Sequence, residues 1–547
     1  MSFTFSVFYC EPPIPVHHVL TMEDVEILLA LINQVDDHRT YPLESPRNAH
    51  PFDPNERTRR IFDSLAEILV HNVAGEVVAV GIQRNEERVT ITFSTNQSQE
   101  PHYIHDHLDT IWGLLKQASE VYRRHQSPAP TPKSSPQSPR SPRSPRVTTT
   151  ERLPADEQDK IYNLLLAIYG YSSKKYLSRV QKRRDVTKPT RFEIFQRIVN
   201  SIGPLNGELG ELLNEVSTTV DLIVQDLSSA HVLTSATQDF KDLCGCFEHL
   251  AFIVEKLEGY PQELKRIADS NGMLFNYTRC ILARAMFNTF QIDFPLHRYV
   301  KKLSSLPNAI QNLLAFASSP RLRSLFLENK TMQIRYVSGG QHLKYPKPTK
   351  WGEVARVALE THNENPRSID HGASHRNKNS VYAPIHCEVA VALHFLSQNL
   401  RGPPPLPFIG VSKLSCFGCW SLFKALQRVG ANIATRGTHG KAYFPWKYPE
   451  ELRATQYAGD ALRVKADVYS IFAERYTTCI LARRMEIGSD GSRCETENNR
   501  DPDAPSYALA AKNRKREKYR GSAKDDTGKR RRSDLAEEAQ SKRQRRS

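Results

Sequence analysis

No stretch of this 547-residue chain approaches the ~20 apolar residues that a membrane-spanning helix needs, so no membrane span is expected. The first twenty residues lack a basic start and are broken by Pro12, Pro13 and Pro15, which argues against a secretory signal. Cysteine is sparse. Nine in a chain of this length, without dense regular spacing, exclude a disulfide scaffold and fit a reducing compartment. Acid is missing from residues 126–150, where Lys133, Arg140, Arg143 and Arg146 stand alone, and residues 501–547 carry a net +7. Most of the formal charge of +15 therefore lies in segments that cannot form a core. Charge gathered in tails speaks for targeting or loose polyanion contact, and against a charged catalytic groove.

At about 100–200 residues per domain the length calls for more than one domain. Residues 1–125 read as a small α+β unit: strands at Val77–Ile82 and Arg88–Ser94 form a hairpin, followed by a helix with Ile104, Leu108, Ile111, Leu115, Ala118 and Val121 on one face. His102, His105 and His107 at its start read as an exposed polar helix start, since no cysteine accompanies them. Residues 126–152, with five Ser-Pro pairs, read as a disordered linker. Residues 153–328 are helical in pattern, with stripes Leu209–Leu212–Val216–Val220–Ile223–Leu227 and Phe240–Leu243–Phe247–Leu250–Val254–Leu257, a candidate partner-binding module. Cys244 and Cys246 are two apart on the second helix, diverge and cannot jointly chelate, so they read as packing.

Residues 329–487 hold the chemistry. Met332–Ser338 with Gly339-Gly340 reads as an opening hairpin, and His371 and His375 as loop residues before the motif. His386 and Glu388 fall in the first turn of a helix opened by Pro384, because Val389, Leu393, Leu396 and Leu400 recur at helical intervals. Residues two apart on a helix point ~200° from each other, so they share a centre only if it lies off the helix N-terminus. Pro407–Val411 reads as a buried strand, then Ser415 as an N-cap of a helix bearing Trp420, Phe423, Leu426 and Val429. Cys416 and Cys419, three apart in that first turn, lie on one face and can chelate together. His386, Cys416 and Cys419 make three zinc ligands, which leaves a coordination position for water. Glu388 is the candidate general acid/base, and Cys387 a buried filler. A Cys-x-x-Cys after a strand is also a redox pair, though a dithiol has no use for the upstream His-x-Glu.

The run Ile409–Trp420, with Ile385-His-Cys-Glu388 before it and Thr435-Arg-Gly-Thr-His-Gly-Lys441 and Pro445-Trp446 after it, resembles the deaminase-like family of fungi and rickettsial bacteria. That family is a branch of the zinc-dependent cytidine/nucleic-acid deaminase superfamily, and the likeness covers roughly residues 330–450. Ser415 stands where the wider superfamily has proline. The resemblance implies a cytidine-deaminase-like α/β fold with a mixed sheet flanked by helices, and it places His439 and Trp446 at the pocket mouth for base stacking. A helix with Val464, Val468, Phe472 and Tyr476 would close the fold.

The reading is a zinc-dependent hydrolytic deaminase acting on a nucleobase, cytosine-type favoured, in a nucleotide or single-stranded nucleic acid. Residues 488–547 read as a basic disordered tail. Its clusters Lys529, Arg530, Arg531, Arg532 and Lys542, Arg543, Arg545, Arg546 match nuclear-import signals, with an import receptor as partner. Two rivals stand beside it: an inactive zinc-stabilised interaction module, and a nucleic-acid binder using the basic tails.

Overall fold

The computed structural model describes residues 22–35, 56–71, 75–97, 100–125, 153–183, 189–202, 207–229, 232–260, 263–264, 296–339, 342–343, 348–362, 364, 381–382, 385–397 and 403–497. The linker, the import clusters, His371, His375, Gly340 and Pro384 lie outside them.

The elements run in the order α1 (Met22–Val35), α2 (Glu56–Ile68), β1 (Val78–Arg84), β2 (Arg88–Thr95) and α3 (His102–His125). Helices α4 (Ala155–Val180), α5 (Arg191–Ile202), α6 (Gly207–Ser228), α7 (Gln238–Leu257), α8 (Leu296–Leu303), α9 (Ser305–Ser318) and α10 (Pro320–Phe326) follow. Then come β3 (Thr331–Tyr336), β4 (His342–Leu343), α11 (Pro348–Thr361), β5 (Val381–Tyr382), α12 (Cys387–Leu396), β6 (Pro405–Val411), α13 (Phe417–Arg428) and α14 (Ala461–Glu497). Contacts divide the chain after Ile480, and the first unit holds everything that follows here.

One four-stranded mixed sheet, ordered β3-β2-β1-β6, organises that unit. Strand β1 is antiparallel to β2 and to β6, whereas β3 lies parallel to β2. This corrects two expectations. Residues 1–125 are not a separate unit, because Ala79 pairs with Val411 and the N-terminal hairpin supplies the middle of the sheet that carries the cysteine motif. Nor does β3 open a hairpin: its neighbour is β2, and the strand after it, β4, pairs with β5.

Both faces of the sheet are buried, and the period-2 alternation sorts its residues between two cores. Val78, Val80, Ile82, Val89, Ile91 and Phe93 share one core with α2, α3 and the helical block. Ala79, Ile409 and Val411 share the other with α1, α11, α12, α13 and α14. Glycine is required where helices press on the strands. A Cβ on Gly81 would meet the Phe395 ring of α12 at 2.3 Å, and one on Gly410 would meet the Phe62 carbonyl of α2 at 2.2 Å. The stripes on α6 and α7 are buried as their spacing predicts, with Cys244 inside the packing.

At the start of α3 His102 is exposed and His105 half-buried, but His107 differs from the expected exposed start. His107 is buried and stacks on Tyr171, ring centroids 3.6 Å apart and planes 4° apart. It hydrogen-bonds the Ile68 backbone, while its Nε2 has no partner. Burial, reinforced by His71, pushes its pKa down from 6.5 to about 3, so folding holds it neutral. The unfolded chain then binds the extra proton between those values, and stability falls as pH drops through that window by up to ~1.4 kcal/mol per pH unit. Denaturant midpoints at pH 6.5 and 5 should show that loss in the wild type and a flatter slope in His107→Phe. An unchanged slope in the variant contradicts the assignment.

Candidate metal centre

Two helix N-termini meet at the C-terminal end of β6. His386 is the N-cap of α12, with extended backbone (φ −64°, ψ 147°), and Cys416 is the N-cap of α13 (φ −71°, ψ 166°). The cap of α13 is thus one residue beyond the expected Ser415. Cys416 Sγ accepts the backbone N–H of Cys419 at 3.4 Å, which answers one of the amides that every helix start leaves open.

The loop Thr435–Lys441 fastens this N-cap. Ser415 N–H donates to the Gly437 carbonyl at 3.1 Å, and the Ser415 carbonyl accepts from His439 N–H at 3.2 Å and Thr438 Oγ1 at 3.0 Å. Phe417 N–H donates to the Lys441 carbonyl at 2.9 Å. From the opposite face of the sheet, Asp63 of α2 accepts Val411 N–H at 2.9 Å and faces Arg436 Nε at 3.5 Å. Burial pushes Asp63 up to about 6, with Arg436 and the Val411 bond opposing it. No sequence spacing links Asp63 to the motif.

His386 Nδ1 lies 3.4 Å from Cys416 Sγ and 3.3 Å from Cys419 Sγ, and the two sulfurs are 3.4 Å apart. Their ligand atoms all fall within 4.8 Å of one another. For tetrahedral zinc with bonds of about 2.3 Å to sulfur and 2.0–2.1 Å to nitrogen, ligand atoms stand roughly 3.5–3.8 Å apart, so a small expansion separates this triad from a loaded site. The donors also have the right chemistry. Burial alone would neutralise all three, yet the neighbouring Cys416 sulfur and Glu388 push His386 up to about 9. Hydrogen bonds from Cys419 and His386 hold Cys416 down to about 6, while burial and Cys416 push Cys419 well up. A buried thiolate beside a second thiol and an imidazole is a donor set that suits a cation such as zinc.

Glu388 is buried but is not a member of the ligand cluster. Its Oε2 accepts the Cys387 thiol at 3.4 Å, so Cys387 is more than a filler. His386 hydrogen-bonds the Pro445 backbone, which orients the imidazole.

The two residues expected at the pocket mouth fare differently. Trp446 is 1% exposed, so it cannot stack a base at the pocket mouth as expected. Its Nε1 donates to Cys419 Sγ at 3.4 Å, and its ring covers Gly418, where a Cβ would sit 2.9 Å from it. Trp446 packs behind the Cys419 sulfur. His439 is half-buried and meets Tyr443 edge-on, ring centroids 5.1 Å apart. Tyr443, three residues before Trp446, is the exposed aromatic beside His439, with 48% of its surface open to solvent.

Residues 385–450 match the family of OTT_1508-like deaminases. The segment is deaminase-like. Its match contains His386, Glu388, Cys416 and Cys419 together, consistent with the zinc-dependent superfamily. No curated protein and no solved structure matches the chain. Among the described residues no helix is long and apolar enough to cross a membrane.

Loading should be proton-linked. At pH 7 His386 and Cys419 are protonated and Cys416 is mostly thiolate, so zinc binding should release about two protons per ion and weaken as pH falls. Calorimetry of zinc binding in buffers of different ionisation enthalpy gives that number directly. A release near zero would contradict the donor assignment.

Proposed function

We propose that the chain is a zinc-dependent hydrolytic deaminase of a nucleobase, cytosine-type favoured. One observation carries the reading: a three-member His-Cys-Cys cluster with a buried carboxylate two residues from the histidine that stays outside it. Structural zinc sites are closed by four protein ligands, whereas catalytic ones keep three. Among the described residues no fourth histidine, cysteine or acid joins the cluster, which argues against the interaction-module reading.

His386, Cys416 and Cys419 would hold the ion, which supplies Lewis-acid activation of water near neutral pH. The rest falls to the chain. Glu388 accepts the proton of the attacking water, and passes protons to the ring nitrogen and then to the departing amine as ammonia. Cys387 holds one oxygen of Glu388 and leaves the other for that traffic. The base enters past His439 and Tyr443, where the exposed Tyr443 ring takes the stacking role first assigned to Trp446.

The test is ammonia release from a panel of cytosine and adenine nucleosides, nucleotides and short single strands of RNA and DNA. Release from at least one member is expected. Silence across the panel with zinc-loaded protein contradicts the reading.

A further inference from the structure

Four cations gather where α4 ends beside the loop that leads into the cysteines. Lys175 Nζ lies 3.0 Å from Glu67 Oε1 and donates to the Glu67 carbonyl at 3.0 Å. Arg179 Nη2 lies 2.8 Å from the same carboxylate oxygen, and its Nη1 donates to Ser305 Oγ at 2.5 Å. Lys182 follows just past the helix end. Lys413, three residues before Cys416, donates to the Gly75 carbonyl at a long 3.5 Å and stays exposed. Its ammonium is within electrostatic reach of Arg179, Glu67, Cys387 and Lys182.

Lys413 stands on the short segment between β6 and α13, three residues before Cys416, and that position ties the cationic group to the approach to the metal centre. Arg179 and Lys182 come from the helical block, which thereby contributes to the site.

The charge does not balance. Glu67 is the one acid acting on Lys413 among these groups, and Lys175 and Arg179 already engage it. Burial pushes Glu67 up, yet those two cations hold it down to about 2. Partial desolvation and then Arg179 hold Lys413 below the usual lysine range, although its side chain remains exposed. Positive charges crowded at a half-buried rim repel one another, and an arriving anion turns that repulsion into binding energy. A mobile lysine ammonium beside an arginine fork is suited to a phosphate group.

We propose that Lys413, with Arg179 and Lys182, forms a phosphate subsite beside the metal centre, so that the substrate is a phosphorylated nucleoside, not a free base or nucleoside. The nucleoside part of that statement rests on the deaminase reading; the phosphate part does not. A mononucleotide and a single-stranded nucleic acid share this chemistry.

The test uses calorimetric titration of full-length, zinc-loaded Glu388→Gln protein, in which turnover is suppressed. The probes are inorganic phosphate, the pairs cytidine and CMP, and adenosine and AMP, and a cytidylate tetranucleotide. Phosphate should bind, and one 5′-nucleotide should bind about tenfold or more tighter than its nucleoside, the worth of a charge-assisted contact. Adding Lys413→Glu should abolish both effects; because Lys413 is exposed, its melting temperature should stay at the parent value. Lys182→Gln should weaken both and serves as the second variant. A tetranucleotide tighter than CMP supports the subsite with a nucleic-acid source, and equality supports it with a mononucleotide source. Absence of phosphate binding, equal affinities within both pairs, or phosphate binding unchanged by Lys413→Glu overturns it. The two readings separate cleanly. Wild-type protein that deaminates a nucleoside as well as its nucleotide removes the subsite and keeps the deaminase. Lys413-dependent phosphate binding in a protein inactive on every substrate keeps the subsite and removes the deaminase.

Discussion

Glu388→Gln should cut turnover by about 10²–10⁴-fold, the usual worth of a positioned acid/base, while zinc content stays at the wild-type level. The substitution keeps size and hydrogen-bonding capacity but removes the group that accepts a proton. Glu388 stands outside the ligand cluster, so the metal should not notice the change. Glutamine can still receive the Cys387 thiol, which keeps the first turn of α12 in place. Initial rates and metal analysis on one preparation separate the outcomes. Loss of zinc would make Glu388 a ligand and close the site, and wild-type turnover would remove it from the mechanism.

The double variant Cys416→Ser, Cys419→Ser should lose zinc and melt at a lower temperature. Serine oxygen is a poor substitute for thiolate, and here each sulfur does two jobs. Cys416 Sγ caps α13 through the Cys419 amide, and Cys419 Sγ receives the Trp446 indole. Trp446→Phe removes only the second of these and should cost about 10–100-fold in zinc affinity, the usual price of an outer-shell partner. The double variant should lose far more than that. Competition against a chelator measures both variants. Full occupancy in the double variant would sink the site, and wild-type affinity in Trp446→Phe would make the indole contact ordinary packing.

The clustering of His386, Cys416 and Cys419 was legible because it is local: Cys416 and Cys419 are three apart in one turn, and His386 heads its own helix. The sheet was not. Its pairing of Ala79 with Val411 joins strands more than three hundred residues apart, and period-2 alternation names a face without naming a neighbour. The hairpin of β1 and β2 therefore read as a unit of its own. Trp446 was misplaced for a related reason: an aromatic near a site reads alike at its mouth and behind it. What decides is Gly418, whose missing side chain lets the indole reach Cys419. The same limit hid Asp63, which reaches β6 from the far face, and the burial of His107 against Tyr171.

The central claim is that His386, Cys416 and Cys419 hold the ion on which deamination depends. The most direct measurement plots ammonia-release rate against zinc occupancy, set by chelator stripping and graded re-addition to the full chain. A line through the origin, saturating at about one zinc per chain, is the predicted result. A rate that persists at zero occupancy, or full occupancy without any turnover on a substrate panel, would contradict the account.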